Sequence, residues 1–304
     1  METADPWAKP RGQFSFFGRA ARRASRFAGR PAREKYVALA LRFRRMFPRA
    51  AVPVRLPFGS WFLVGSSAVD NALLFGGFER AELRFVEKFL RPGMTVLDIG
   101  AHHGLYTLLA SKRVGGAGKV VCFEPSPRER KQLSRNIKLN FCSNVTIETW
   151  ALGAERSQAD LYLPAGGEDG CNSLRPPNIA GTASTLGVQV TRLDDWLADH
   201  KLERVDFIKL DVEGGERDVL RGAEKLLERQ PRPVIFAEVQ DLRTEPWGYP
   251  AREIIEHLVQ RNYKWFEIDA DGGLQPLDVS AAKFDGNFVA CPEERIAEVR
   301  PLAR

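Results

Sequence analysis

A glycine-containing turn and a later acidic residue have the spacing of a nucleotide-binding site. The apolar run 95–99 predicts a buried strand, and Gly100 and Gly104 bracket the turn that follows it. Glycines in such a turn let the backbone approach a ligand closely, and the helix that opens there offers N–H groups to an anion. Glu124 follows Gly104 by about 20 residues, the distance at which a carboxylate accepts hydrogen bonds from a ribose diol. The pattern therefore predicts a cofactor that carries a ribose.

The spacing of the glycines discriminates between nucleotide cofactors. Dinucleotide sites use Gly-x-Gly-x-x-Gly, in which the second glycine admits the pyrophosphate, but His102 stands at that position here. We therefore expect a cofactor with a carboxylate at this end, such as the methionine part of S-adenosylmethionine, rather than NAD. The alternative is that Gly100 and Gly104 only form a tight strand-to-helix turn.

Eight residues are predicted to contact the cofactor. Asp98 ends the first strand and would position the amides of the turn or the ammonium group of the cofactor, with a purely structural role as the alternative. Ala151 follows the third strand and would border the adenine, because ligands of such sheets lie at the carboxyl ends of the strands. The complete set is Asp98, Gly100, Ala101, His102, Gly104, Glu124, Pro125 and Ala151.

The densest polar cluster of the chain runs from the fourth predicted strand into the following helix. Two-residue alternation places Lys209 and Asp211 on one face, and Lys209, in a strand expected to be buried, should pair with a carboxylate. Methyl transfer from a sulfonium requires an aligned acceptor oxygen and a group that takes its proton. Asp211 would position the sulfonium or the acceptor, and Glu213, His102 or His103 would take the proton. The predicted catalytic residues are His102, Lys209, Asp211 and Glu213.

Two further acidic residues and the cysteines bear on metal binding. Glu216 begins a helix, where a carboxylate in the first turn interacts favourably with the helix dipole. Glu238 ends the fifth strand, and with Asp211 and Glu213 it could converge on a divalent metal, but the sequence lacks the ligand spacing of a metal site. The four cysteines are scattered, without a Cys-x-x-Cys pair. We therefore predict no metal.

Alternating strands and helices must position these residues. Near-continuous apolar strands separated by helices predict an α/β fold with a doubly wound, mostly parallel sheet. The seven predicted strands are residues 95–99, 119–123, 144–150, 205–210, 234–239, 263–268 and 287–291, the last two antiparallel. The predicted helices are residues 81–90, 105–112, 128–140, 216–229 and 251–261. Residues 161–192 are rich in glycine and proline and should be turns and loops, either an acceptor-site lid or a surface insertion.

The first fifty residues differ in charge from the rest of the chain. They carry 13 Lys and Arg against 3 Asp and Glu, a net charge of +10, whereas the whole chain has +6. Residues 17–28 and 36–47 repeat apolar side chains at helical spacing. We predict a basic, partly helical or disordered arm at residues 1–50, a linker or entry segment at 51–80 and the main domain at 81–304. The arm would be a solvated leader, or bind an anionic membrane, a nucleic acid or a partner.

Hydropathy along the sequence gives neither a membrane span nor an export signal. No apolar run approaches the roughly 18 residues of a spanning helix, and the first residues lack the apolar core of a signal peptide. The scattered cysteines do not require an oxidising compartment. We therefore expect a soluble cytoplasmic protein, either free or peripheral at a membrane, whose oligomeric state the sequence leaves open.

Six segments together resemble the FkbM family of S-adenosylmethionine-dependent methyltransferases. They cover roughly residues 80–295, and the most specific is Val205-Asp-Phe-Ile-Lys-Leu-Asp-Val-Glu-Gly214 with the Leu-Asp-Asp-Trp-Leu that precedes it. The six matching segments are residues 96–107, 123–127, 144–153, 172–174, 190–197 and 205–214. The arm before about residue 75 matches nothing in that pattern.

The resemblance implies a class I methyltransferase fold, which is Rossmann-like, and S-adenosylmethionine as cofactor. It places Gly100, Gly104 and Glu124 on the cofactor-binding positions. It also implies O-methylation of a hydroxyl on a sugar, glycan or polyketide-like small molecule. One alternative is a nucleic-acid methyltransferase that uses the basic arm, which the absence of a base-methylating signature disfavours. The other is a non-catalytic membrane-surface or scaffold protein with a degenerate cofactor site.

Overall fold

The structure, a computed structural model, describes residues 32–47, 50–65, 68–164, 171–176 and 183–302. The chain divides into two compact units, residues 1–50 and residues 51–304. In the first unit the described element is one helix, α1 (Ala32–Met46), which carries the apolar pattern of residues 36–47. The helical pattern at 17–28 lies outside the described residues. Among the described helices, none has the length and apolar character needed to cross a membrane.

The second unit alternates short strands and helices. Its strands are β1 (Val52–Arg55), β2 (Trp61–Val64), β3 (Thr95–Ile99), β4 (Lys119–Phe123), β5 (Val145–Glu148), β6 (Ala151–Leu152), β7 (Ser157–Pro164), β8 (Ala183–Thr191), β9 (Phe207–Leu210), β10 (Val234–Gln240), β11 (Tyr263–Ile268), β12 (Leu274–Pro276) and β13 (Asp285–Pro292). Its helices are α2 (Ala68–Phe75), α3 (Arg80–Phe89), α4 (Leu105–Val114), α5 (Pro127–Leu139), α6 (Leu193–Asp199), α7 (Glu216–Arg221), α8 (Glu224–Glu228), α9 (Asp241–Thr244), α10 (Arg252–Val259) and α11 (Ile296–Val299).

The main sheet has the strand order β12-β11-β13-β10-β9-β3-β4-β5. Strands β5, β4, β3, β9 and β10 run parallel to one another. Antiparallel pairs β10–β13, β13–β11 and β11–β12 complete the sheet. The predicted Rossmann-like, doubly wound and mostly parallel fold is therefore confirmed. All seven predicted strands are present, but the sheet has an eighth, β12, whose three residues at the edge are too few to show a hydrophobic pattern.

A second, smaller sheet of order β6-β8-β7 replaces the loops expected at residues 161–192. β7 and β8 are antiparallel over their whole length, and β6 pairs with the end of β8. Between β7 and β8 the structure describes residues 171–176. Ser173 of this segment forms an antiparallel β-bridge with Tyr162 of β7. This hairpin could not be predicted from the sequence, because its strands are half exposed and the glycines and prolines between them dominate the local composition.

Residues 51–80, expected to be a linker, contain β1, β2 and α2. Asn136 of α5 and Asn140, which follows α5 directly, accept hydrogen bonds from the backbone of β2, at Leu63 N (2.9 Å) and Trp61 N (2.7 Å). The segment thus belongs to the same compact unit as the main sheet. Four-residue strands show little periodicity, and the helix that binds them lies 73 to 79 residues away.

The helix predicted at 216–229 is two helices, α7 and α8, because a side chain from elsewhere stabilises a second helix start. Asp194 lies in the Leu-Asp-Asp-Trp-Leu segment, and its carboxylate accepts hydrogen bonds from Lys225 N (2.9 Å) and Leu226 N (3.0 Å) at the start of α8. Its own N–H donates to the carbonyl of Gly222, between the two helices. The Leu-Asp-Asp-Trp-Leu motif therefore stabilises the start of α8, the second helix after β9.

An aromatic cluster anchors α3 beneath the centre of the main sheet. Phe85 and Phe89 of α3 pack on Phe207 of β9, with ring centroids 6.5 and 5.5 Å apart, and Phe85 also contacts Phe236 of β10 at 6.2 Å. All four rings are fully buried. Burial of such rings contributes about 1.5 to 3 kcal/mol each, so the strands whose carboxyl ends carry the polar cluster are held firmly.

Candidate functional site

One cavity of about 290 Å³ opens at the carboxyl ends of β3, β4, β9 and β10. This is the edge at which open α/β sheets bind their ligands. Nine of the residues predicted from the sequence line it, namely Gly100, Ala101, His102, Glu124, Pro125, Ala151, Lys209, Asp211 and Glu213. The turn after β3 and the polar cluster after β9, which are more than 100 residues apart in sequence, therefore face the same space.

Asp98 and Gly104, also predicted to contact the cofactor, lie behind the turn and not on the cavity wall. Asp98 is buried, and its Oδ2 accepts a hydrogen bond from Thr107 Oγ1 of α4 at 2.5 Å. Gly104 has a left-handed φ of 87° and joins the turn to α4. Asp98 therefore ties the end of β3 to α4, and the contact of Asp98 and Gly104 with the cofactor stays a prediction.

Gly100 is required where β3 meets β9. Its φ is 81°, and a Cβ atom at this position would come within 1.7 Å of the carbonyl oxygen of Asp211. The backbones of the two predicted motifs thus touch here, and only a residue without a side chain permits that contact. This contact brings Asp211 beside the cofactor turn.

Glu124 ties the end of β4 to the turn. Its Oε2 accepts a hydrogen bond from His102 N (2.8 Å) and its Oε1 from Ser126 N (2.9 Å). Burial raises the pKa of Glu124 to about 7, although both N–H groups favour the carboxylate. Each carboxylate oxygen has a further lone pair, and Glu124 lines the cavity, so the residue fits the acceptor of a ribose diol.

His102 lines the cavity beside Glu124, and both its backbone and its ring make contacts there. Its left-handed φ of 49° turns the chain so that its N–H reaches Glu124. Its ring stacks on that of His103, with centroids 3.8 Å apart. Ligand atoms of His102, His103 and Glu129 lie within 4.8 Å of one another, a separation at which they could hold a metal ion.

Lys209 is buried and paired, as its place in β9 led us to expect. Its Nζ lies 2.8 Å from Asp211 Oδ2 and 3.5 Å from the carbonyl of Gly100, above the ring of Tyr106. Burial lowers the pKa of Lys209, but the carboxylates of Asp211 and Asp98 raise it more, so the pKa lies above its usual value. Lys209 therefore stays protonated and holds Asp211 in place, and it is unsuited to accept a proton.

Glu213 and Glu216 follow β9 and have different surroundings. Glu213 has a left-handed φ of 57°, and its Oε2 lies 2.9 Å from Arg243 Nε. Burial, and then the negative charge of Asp211, raises the pKa of Glu213 to about 8 despite that guanidinium. Glu216 is buried, and its Oε1 accepts hydrogen bonds from Val212 N (2.9 Å) and Gly214 N (3.3 Å). Glu216 thus ties the backbone that follows β9 to the start of α7, and its interaction with the helix dipole stays a prediction.

Glu238 of β10 lines the cavity together with Asp211 and Glu213, and these three residues form its acidic wall. Its Oε2 is shielded from solvent and makes no hydrogen bond within the described part of the chain. Burial, and then the charges of Asp211 and Glu213, raises the pKa of Glu238 well above its usual value. Carboxylate oxygens of Asp211, Glu216 and Glu238 lie within 4.8 Å of one another, so a divalent cation is the second metal arrangement that these residues could hold.

Among the cavity-lining residues that the sequence did not single out are Glu79, Tyr106, Arg243 and Trp247. Glu79 precedes α3 and accepts a hydrogen bond from Tyr106 Oη at 2.6 Å, and burial raises the pKa of Glu79 to about 7. Trp247 Nε1 donates to the carbonyl of Glu213 at 3.2 Å and to Ser173 Oγ at 3.3 Å. Glu79, Arg243 and Trp247 belong to short segments without periodicity. Tyr106 lies in a predicted helix, but the helical pattern does not show that its side chain faces the site, so only the fold brings these residues together.

Residues 98–265 match the sequence profile of the Methyltransferase FkbM domain, and this match covers a little over half of the chain. The chain belongs to the FkbM methyltransferase family. The resemblance noted from the six segments is thereby confirmed, and the fold is that of a class I methyltransferase. S-adenosylmethionine is the cofactor of the FkbM family, and it is the cofactor expected from the turn and Glu124.

Individual relatives match only parts of the chain. Methyltransferase 1 of Beauveria bassiana is 30% identical over 145 residues, which are 42% of this chain and 58% of that protein. The 2-O-methyltransferase NoeI of Sinorhizobium fredii is 26% identical over 185 residues, 55% of this chain and 72% of that protein. The crystal structure of Methyltransferase FkbM from Methylobacillus flagellatus KT has 17% identity and a TM-score of 0.42, over 74% of this chain and 53% of that chain.

Proposed function

We propose that this protein transfers the methyl group of S-adenosylmethionine to a hydroxyl of a sugar, glycan or polyketide-like small molecule. The observation that carries the proposal is that one cavity is lined both by Glu124 and the turn after β3 and by the acidic wall of Asp211, Glu213 and Glu238. When bound, the cofactor supplies a methyl group on a positively charged sulfur.

The wall formed by the turn and β4 has the groups that this cofactor requires. Glu124 would accept hydrogen bonds from the ribose diol, and α4 begins at the turn with N–H groups suited to a carboxylate. Trp150, Ala151 and Pro125 supply an apolar surface for the adenine. In this proposal His102, whose N–H is bound to Glu124, contributes to cofactor binding and not to proton transfer.

The acidic wall supplies alignment and proton acceptance. Asp211, held by Lys209 at 2.8 Å, would accept a hydrogen bond from the hydroxyl and fix its direction. Glu213 would take the proton, because a base with a pKa of about 8 is matched to proton transfer near neutral pH. Only its deprotonated form can act, so we expect the transfer rate to rise with pH through about 8.

A hydroxylated acceptor suits the chemistry of the remaining wall. Carboxylates accept hydrogen bonds from hydroxyls, and Arg243 can donate to them. Trp247 presents an aromatic surface beside these charges, with its Nε1 already bound to the carbonyl of Glu213. The name of the relative NoeI, a 2-O-methyltransferase, supports transfer to oxygen.

Methyl-labelled cofactor tests the proposal with the purified full chain. Free sugars, lipid-linked glycans, polyketide-like alcohols and RNA are offered separately, and we expect transfer to one of the hydroxylated small molecules or glycans. Glu213→Gln should lower kcat by about 100-fold and leave binding of S-adenosylhomocysteine unchanged. Asp199→Asn, which removes an exposed carboxylate on α6, is the matched control and should alter neither.

Three results would contradict the proposal. The cofactor assignment fails if calorimetry shows binding of NAD and none of S-adenosylhomocysteine. The acceptor class fails if RNA alone is methylated, with an affinity that falls steeply as salt is added. The role of Glu213 fails if Glu213→Gln turns over at the wild-type rate.

A further inference from the structure

The helix α1 concentrates exposed apolar side chains in a segment that the catalytic site does not use. Five of the large hydrophobic side chains that are exposed in the described residues lie within its last eleven residues and the one that follows. They are Tyr36 (38% exposed), Leu39 (55%), Phe43 (43%), Met46 (65%) and Phe47 (51%). Residues at positions i, i+3, i+7 and i+10 or i+11 lie on one face of a helix, so these side chains form a single apolar stripe.

Positive charges flank this apolar stripe. Lys35, Arg42, Arg44 and Arg45 lie on α1 outside the stripe, with Glu34 as the acidic residue of its first turn. The first fifty residues as a whole carry a net charge of +10, while residues 51–304 carry a net negative charge. A partner for this segment must therefore offer an apolar phase and negative charge side by side.

We infer that α1 binds the surface of an anionic lipid bilayer, with Leu39, Phe43 and Met46 inserted among the lipids and the arginines among the headgroups. A bilayer with anionic headgroups has an apolar interior and a negatively charged surface next to each other across its whole extent. A nucleic acid would pair with the arginines but leave the apolar stripe in water. A second copy of the same helix would bring two strongly basic segments together, and their repulsion opposes such a dimer.

The geometry of α1 fits the plane of the bilayer surface. Its 15 residues span about 22 Å, which is shorter than the roughly 30 Å hydrocarbon core that a spanning helix must cross. Its apolar stripe covers one side only, which is typical of helices that lie at the interface. The protein would therefore be held at the membrane reversibly, so that its cavity can meet acceptors that are themselves attached to lipid.

Flotation of the full-length protein with lipid vesicles tests this inference. One set of vesicles is phosphatidylcholine, and the other is an equimolar mixture of phosphatidylcholine and phosphatidylglycerol. We expect binding to the mixed vesicles only, and a weaker interaction as salt is added. The double variant Leu39→Ser/Phe43→Ser should reduce binding by about tenfold or more, because two buried apolar side chains are lost.

Matched variants separate insertion from other causes. Phe141→Ser/Leu242→Ser removes two exposed apolar side chains from the second unit, 91% and 55% exposed, and should bind vesicles like the wild type. Circular dichroism and S-adenosylhomocysteine binding verify that all variants are folded.

Several outcomes would overturn the inference. One is failure of the wild type to float with the mixed vesicles. Another is undiminished binding of the Leu39→Ser/Phe43→Ser variant, which would mean electrostatic adsorption without insertion. A third is displacement of the protein from vesicles by polyuridylate, with both double variants binding that RNA more tightly than they bind vesicles. This result would identify the arm as a nucleic-acid site.

Discussion

Substitution of Glu124 can test cofactor binding separately from methyl and proton transfer. It is buried, it is bound by two backbone N–H groups, and it lines the cavity. We expect Glu124→Gln to weaken S-adenosylhomocysteine binding by about tenfold or more, because an amide has one acceptor oxygen where the carboxylate has two. Isothermal titration calorimetry measures this, with Asp199→Asn as the control.

The pH dependence of binding gives Glu124 a second, independent signature. Its pKa in the cavity without ligand is about 7, and only the carboxylate can accept hydrogen bonds from both hydroxyls of a diol. Binding should therefore weaken as the pH falls through about 7 and reach its full strength above that value. In Glu124→Gln this part of the pH dependence should be absent. Equal pH profiles for the variant and the wild type would remove Glu124 from the cofactor site.

At the level of elements, the contact between the turn after β3 and the end of β9 should be intolerant of any side chain. In Gly100→Ala the new Cβ would lie 1.7 Å from the carbonyl oxygen of Asp211, in a left-handed backbone conformation. We expect a loss of about 2 kcal/mol or more in the free energy of unfolding, with loss of activity. Gly116→Ala is the control, since a Cβ there meets no atom within 4 Å. Urea denaturation distinguishes the two.

The Leu-Asp-Asp-Trp-Leu segment should contribute to stability, with no direct part in the chemistry. Asp194→Ala would leave the N–H groups of Lys225 and Leu226 without their acceptor, at a cost of about 1 to 3 kcal/mol. Asp195→Ala, one residue along the same helix, is the matched control and should change stability by about 0.5 kcal/mol or less. The contrary result, equal destabilisation by both variants, would mean that the start of α8 does not depend on Asp194.

For the whole molecule, the division into two compact units leads to a truncation experiment. Residues 51–304 contain the main sheet, the smaller sheet and every described residue that lines the cavity. We expect a protein that begins at residue 51 to unfold cooperatively and to bind S-adenosylhomocysteine within about twofold of the full chain. Its flotation with anionic vesicles should be lost. A truncated protein that does not fold would show that the first unit is part of the catalytic domain.

The sequence alone determined the parts of this protein that depend on local pattern. The strands of the main sheet are nearly continuous apolar runs, so seven of its eight were found with small errors at their ends. Gly100, Glu124 and the segment from Lys209 to Glu213 were identified because chemistry at the carboxyl ends of strands requires particular residue types at fixed distances along the chain. The family followed from the same segments.

Only the tertiary structure decided which residues meet. The hydrogen bond between Glu79 and Tyr106 joins residues 27 apart, and that between Trp247 and Ser173 joins residues 74 apart. No pattern in the sequence marks either pair. Burial is likewise a property of the assembled fold, and it raises the pKa of Glu213 and Glu238 while Asp98 and Gly104 are withdrawn behind the turn. Local spacing can specify a strand and the turn after it, but side-chain environments depend on contacts between segments that are distant in the chain.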